Sequence, residues 1–158
     1  TLAQPLEFDT LYTLHLGSIC DIYGEVLAPV DICFTTGSMF QLERPITFYT
    51  AYGETGQEEV MATIAQGTVV TAEAALKNNS SEAQGIAMVV ALYDGGHLKA
   101  IQCLPPNVEI SGESQLTVTA AVQVPDQAPE EEYRISCYVL DSMAQMNVLA
   151  TGQAPSGF

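Results

Sequence analysis

Along most of this chain apolar side chains alternate with polar ones. From Gln115 onward the even positions hold Leu116, Val118, Ala120, Val122 and Val124, and the odd ones hold Gln115, Thr117, Thr119, Ala121 and Gln123. A repeat of two puts the apolar groups on one face of an extended strand and leaves the other face wet. The same pattern predicts strands over residues 30–35, 46–52, 60–65, 69–77, 86–93 and 133–140, each bounded by Gly, Pro, Asn, Asp or Ser, the residues that make turns. No segment repeats convincingly with helical period; the best helical turn is the short stretch 141–146. Strand following strand at short intervals predicts an all-β fold, an antiparallel β-sandwich.

The alternation runs furthest at the N-terminus. Leu2, Leu6, Phe8, Tyr12, Leu14 and Leu16 occupy even positions, while Thr1, Glu7, Asp9, Thr13 and His15 are mostly polar odd ones. Read straight through, this is one strand of about 15 residues, with Pro5 confining its start to an edge or a lead-in. Such a strand either pairs inside its own sheet or adds to the sheet edge of a neighbouring subunit. In the second case residues 1–17 are a donor strand, and the six even apolar side chains are the ones it inserts.

Composition narrows the function classes. The chain has 158 residues, 47% hydrophobic and 15% charged, enough apolar material for a folded domain with a core. Against 19 acidic side chains stand only Arg44, Lys77, Lys99 and Arg134, a formal charge of -15. A surface of that sign repels phosphate backbones and anionic lipid, so nucleic acid is excluded as a partner. No apolar run approaches the roughly 20 residues of a membrane span, and the start lacks the basic, hydrophobic pattern of a leader, so membrane insertion is not expected and, for an exported protein, this chain would be the mature form or an excised fragment. Of the four cysteines, Cys20 and Cys33 flank a Gly/Pro-containing stretch and could close a short loop through a disulfide; buried free thiols are the alternative. No CxxC spacing supports a zinc site.

The search for chemistry finds no catalytic set. His15 and His97 are the only histidines, and neither has a base, nucleophile or ligand at a useful local spacing. Glu130-Glu131-Glu132 could hold calcium, but without an alternating Asp/Asn loop a solvated acidic turn is the simpler reading. Asn78 and Asn79 start overlapping Asn-x-Ser sequons, more simply a polar turn. Tyr49, Tyr52, Tyr93, Tyr133 and Tyr138 could present a flat face for sugar rings. Asp94-Gly95-Gly96-His97 reads as the bend of a hairpin, its glycines supplying the positive φ of a tight turn. No cofactor, no metal and no catalysis are expected.

Three runs carry a resemblance: Ala75-Leu-Lys-Asn-Asn-Ser-Ser81, Val89-Val-Ala-Leu-Tyr-Asp-Gly95 and Tyr133-Arg-Ile-Ser-Cys-Tyr-Val-Leu-Asp-Ser-Met143. In order and content they resemble a β-sandwich module of clostridial cell-surface and secreted proteins, whose last strand reads Phe-Leu-Trp-Asp-Ser followed by Met, Pro and Leu. Here Leu140 stands for the Trp and Val148 for the Pro. The resemblance covers residues 67–152 and implies an immunoglobulin-like or fibronectin-like sandwich, outside the cell, on a Gram-positive anaerobe. Residues 1–66 then add extra strands or a small sandwich, and 153–158 form a tail. The function expected is that of a non-catalytic structural or adhesive surface protein, with other copies of itself or neighbouring surface-protein domains as partners. A carbohydrate-binding module that accompanies a secreted enzyme, with polysaccharide as its ligand, is the alternative.

Overall fold

The structure, a computed structural model, describes residues 4–17, 19–26, 28–50, 59–60, 63–104 and 108–155. It divides into two compact units, Thr1–Met39 and Phe40–Phe158. No helix among the described residues is long and apolar enough to cross a membrane.

The first unit is built on an antiparallel ribbon of β1 (Leu11–Leu16) and β2 (Val30–Thr35). Its register sets Tyr12 opposite Phe34, Leu14 opposite Ile32 and Leu16 opposite Val30, so the alternation in each strand collects all six on one face. The Tyr12 and Phe34 rings stack at 6.0 Å. On the other face His15 Nδ1 lies 2.6 Å from Asp31 Oδ1. The strand of about 15 residues is not formed: β1 has six. The chain turns at Asp9, whose φ of 51° lies in the left-handed region that Asp tolerates better than most residues. The Asp9 carboxylate accepts hydrogen bonds from Ser38 Oγ and the Met39 amide. Leu6 and Phe8 therefore precede the strand, Tyr12, Leu14 and Leu16 lie in it, and Leu2 is outside the described residues.

The second unit is the sandwich. In chain order its strands are β3 (Phe40–Leu42), β4 (Thr47–Thr50), β5 (Glu59–Val60), β6 (Val69–Asn78), β7 (Gln84–Asp94), β8 (His97–Cys103), β9 (Val108–Ile110), β10 (Gln115–Gln123), β11 (Tyr133–Leu140) and β12 (Val148–Gln153). One sheet runs β10-β6-β4-β5, with β3 also on β6; the other runs β12-β11-β7-β8, with β9 also on β7. Every pairing is antiparallel. The inward residues Val70, Ala72, Ala74, Leu76, Val118, Ala120 and Val122 of the first sheet pack on Ile86, Met88, Val90, Leu92, Ile135, Cys137 and Val139 of the second as one core.

With β4, β6 and β10 in one layer and β7, β8, β11 and β12 in the other, the strand order is like that of immunoglobulin-like and fibronectin-like sandwiches. Tyr133 is buried at the start of β11 and donates its hydroxyl hydrogen bond to the Gln127 carbonyl at 2.9 Å, as a tyrosine corner does in such sandwiches. The sandwich starts earlier than Gly67, because β3 and β4 both pair with β6 in its first sheet. Of the strand expected over residues 60–65, Val60 lies in β5, residues 61–62 are outside the described residues, and Ile64 is buried in the core without belonging to a strand. Residues 141–146 form a tight turn closed by the Met146 amide on the Ser142 carbonyl, clasped by Asp141, which accepts from the Asn147 amide and side chain.

Candidate functional site

The β7–β8 hairpin is the bend its sequence suggested. Asp94 pairs with His97 across Gly95 and Gly96, whose φ values are +56° and +89°, the two positive angles that match a tight turn to the twist of its strands. The register shifts between Leu92 and Tyr93, so Tyr93 faces Leu98 while Leu92 faces Ala100. Lys99 is the extra residue of this bulge, and the bulge re-aims its side chain. Lys99 Nζ sits 3.6 Å from Asp94 Oδ2 and 3.3 Å from Glu130 Oε1.

Asp94 is a structural anchor. Only 4% exposed, it accepts hydrogen bonds from the Glu130 amide at 2.9 Å and the Glu131 amide at 3.0 Å. Those two amides, helped by Lys99, hold its carboxyl below the usual range. The hydrogen bond and charge of Glu130 in turn raise Lys99. The acidic run Glu130-Glu131-Glu132 thus serves the hairpin through its backbone. Among the described residues no group of three or more His, Cys, Asp and Glu is placed to hold a metal ion.

The sign of the Asp94 shift gives a pH dependence. A carboxyl lowered in the folded state adds stability above its unfolded pKa, near 4, and loses it as pH falls through the lower folded value. The melting temperature is expected to drop on acidification through and below about pH 4, and less steeply in Asp94→Asn. Thermal melts between neutral pH and pH 2 test this; parallel pH profiles for the two proteins would contradict it.

A second joint centres on Asn78, which is fully buried at the end of β6. Its side-chain nitrogen donates to the carbonyls of Glu82 (2.7 Å), Ile110 (3.0 Å) and Ser111 (3.3 Å). Its oxygen accepts from the Ser80 amide and hydroxyl, at 2.9 and 2.8 Å. The polar-turn reading of Asn78-Asn79-Ser80-Ser81 holds at Asn78, since its amide is enclosed and committed to the backbone.

The five tyrosines do not converge. Tyr133 is in the core. Tyr49 lies on the outer face of the first sheet, its hydroxyl 3.5 Å from Glu73 Oε1, the oxygen that Arg44 also pairs with. Tyr52 is outside the described residues. Tyr93 and Tyr138 do share a face, the outer face of the second sheet, where Tyr93 opposes Arg134, Ala91 opposes Ser136 and Val89 opposes Tyr138. Burial, followed by the adjoining Tyr138 phenol, raises the Tyr93 phenol. The small residues Ala91 and Ser136 beneath are buried although they point outward. The Arg134 guanidinium lies 5.9 Å from the Tyr93 ring centroid, and Ser136, Thr151 and Gln153 border a shallow depression beside Tyr138. Arg134, Ser136, Thr151 and Gln153 were missed from sequence. The signal was present for two of them, since Arg134, Ser136 and Tyr138 alternate with the inward Tyr133, Ile135 and Cys137.

The cysteine pair expected from spacing is not made. All four thiols are free, and the ribbon register explains why. Cys33 lies opposite Thr13, whereas Cys20 bridges Val26 near the far end. Cys20 and Cys33 are exposed, while burial pushes the Cys137 thiol up to about 12. At neutral pH a thiol reagent is expected to modify Cys20 and Cys33 in the folded protein and to reach Cys137 only after denaturation. Peptide mass mapping of the labelled sites checks this; Cys137 labelled as fast as Cys20 would contradict it.

No family model matches the sequence, and no curated protein matches it. Solved structures do. A calcium-binding mutant of Bacteroides uniformis β-glucuronidase 2 matches 73% of this chain with a TM-score of 0.53 at 10% identity, over 14% of its own length. A Bacteroides uniformis β-glucuronidase matches 82% with a TM-score of 0.53 at 11% identity, over 15% of its length. A putative β-galactosidase from Bacteroides fragilis matches 82% with a TM-score of 0.51 at 11% identity, over 19% of its length. The chain therefore spans less than a fifth of each of these proteins. At such identities the likeness shows the fold alone: an all-β sandwich like those that form one part of these glycosidases.

Proposed function

We propose that this chain is a non-catalytic structural or adhesive protein of a bacterial cell surface, working outside the cell and meeting further copies of itself or neighbouring surface-protein domains through strand addition. The observation that carries this reading is the β1–β2 ribbon. A two-stranded ribbon is marginal by itself, and this one leaves both outer edges unpaired among the described residues. Leu14 is 49% exposed and Phe34 40% exposed on its apolar face. Unpaired edges and an uncovered apolar face are features that a neighbouring strand or sheet completes. The resemblance of residues 67–152 to clostridial surface modules supports the extracellular setting, and the use of Asp94, Asn78 and Tyr133 to fasten turns supports a mechanical role.

A second reading, a carbohydrate-binding module that accompanies a secreted enzyme, is favoured by one observation, the Tyr93–Tyr138 face with its polar border. The glycosidase neighbours agree with it. Pull-down on a panel of insoluble polysaccharides separates the two. The structural reading predicts that none retains the protein; retention abolished by Tyr93→Ala and Tyr138→Ala would replace it with the second.

A further inference from the structure

Strand addition needs an edge that accepts it, and the edges of this protein differ. The β8 edge carries Lys99 on a bulge. The β12 ladder is irregular at Val139/Leu140, and β12 itself contains Gly152. Charges, bulges and glycines all blunt an edge against further pairing.

The strand β10 has none of these devices. Its nine residues, Gln115-Leu-Thr-Val-Thr-Ala-Ala-Val-Gln123, contain no charge, no proline and no glycine. They pair with β6 without a register shift. The strand ends its sheet, and among the described residues nothing pairs with its outer edge.

The sequence of β10 is also nearly symmetric about its centre. Laid antiparallel on a copy of itself about Thr119, Gln115 meets Gln123, Leu116 meets Val122, Thr117 meets Ala121, Val118 meets Ala120 and Thr119 meets Thr119. Each inward apolar residue meets an inward apolar residue, so the two cores would continue across the junction. Each outward residue meets an uncharged one. That matters because every copy carries a formal charge of -15, so two copies repel overall, and an uncharged seam adds no close like-charge contact to that repulsion.

We propose that β10 is the assembly edge and that its partner is the β10 of a second copy, joined antiparallel about a two-fold axis at Thr119. The two first sheets become one sheet through the dimer. This proposal rests on the reading of the chain as self-assembling and names a sheet edge for it besides the β1–β2 ribbon. Because the partners carry like charge, added salt strengthens the dimer.

Cross-linking of the full chain tests the register. Directly opposed Cα atoms in an antiparallel pair lie ~4.5–5.5 Å apart, within disulfide reach. In a background of Cys20→Ser and Cys33→Ser, Thr119→Cys is expected to give a covalent dimer under mild oxidation, whereas Thr117→Cys, whose opposite is Ala121, gives far less. Thr119→Lys, which sets two like charges face to face on the outward side, is expected to shift the protein to monomer in sedimentation while it keeps a single cooperative melt, the sign of an intact sandwich. A dimer that survives Thr119→Lys while Thr119→Cys fails to cross-link would overturn the β10 proposal and leave self-assembly standing through another surface. Loss of the dimer in Thr119→Lys without the Thr119→Cys cross-link would also overturn it, because a different strand then occupies the edge. A wild-type chain that remains monomeric at roughly millimolar concentration would overturn both.

Discussion

Asn78→Ala is expected to destabilise the sandwich by about 3 kcal/mol, lowering the melting temperature by roughly 10 °C. The amide nitrogen of Asn78 supplies the carbonyls of Glu82, Ile110 and Ser111, and its oxygen receives the amide and hydroxyl of Ser80. Alanine leaves buried groups of two turns without partners, which costs more than the hydrogen bonds gained when both sides are present. Asn78→Asp is expected to be worse. The carboxylate keeps the Ser80 contacts but turns an acceptor toward three carbonyl oxygens, and a buried charge without a donor is the more expensive defect. Chemical denaturation of the three proteins checks the order wild type, Ala, Asp; an Asp variant as stable as wild type would contradict it.

Gly112→Ala is expected to cost about 3 kcal/mol, at the upper end of overpacking defects. The need for glycine here is one of space: a Cβ on Gly112 would lie 2.1 Å from the Ser81 carbonyl oxygen and 2.4 Å from its carbon. Those are backbone atoms, and they cannot swing aside as the end of a side chain does. Gly112 and Asn78 belong to the same joint, in which the Asn78 amide also donates to the Ser114 carbonyl and the Glu113 amide to the Ser80 carbonyl. The double variant Asn78→Ala with Gly112→Ala should therefore cost less than the sum of the two, since either change already opens the joint. Additive losses in a double-mutant cycle would show that the two positions act separately.

Legibility in the sequence followed how much of each strand was long and cleanly patterned. Residues 30–35 and 133–140 coincide with β2 and β11, and 69–77, 86–93 and 115–124 come within two residues of β6, β7 and β10. The three-residue strands β3 and β9 escaped, because a stretch such as Phe40–Leu42 is too short to show a period. At the N-terminus the parity of apolar positions carried straight through the turn at Asp9, since a two-residue bend need not disturb even-odd counting. Ile64 shows the converse: a loop residue can enter the core without being part of a ladder.

The faces were harder to read than the strands. In β11 the parity that holds Arg134 and Ser136 also holds Tyr138 and Leu140, so a tyrosine by itself does not tell the faces apart, yet Tyr133 is locked in the core by its hydroxyl on Gln127 and Tyr138 faces outward beside Tyr93. The hairpin at Asp94-Gly95-Gly96-His97 was legible because positive φ at two successive positions leaves few residue choices. The grip of Asp94 on the amides of Glu130 and Glu131 was not, because it depends on residues 36 and 37 positions away. The Cys20 and Cys33 spacing failed for the same reason: loop length is visible in sequence, and ladder register is not.

Sedimentation velocity of the purified chain over a wide concentration range tests most directly whether this sandwich works by joining copies of itself. Strand addition predicts a weight-average mass that climbs above that of one chain as concentration and salt rise. A single species with the mass of one chain throughout would contradict it.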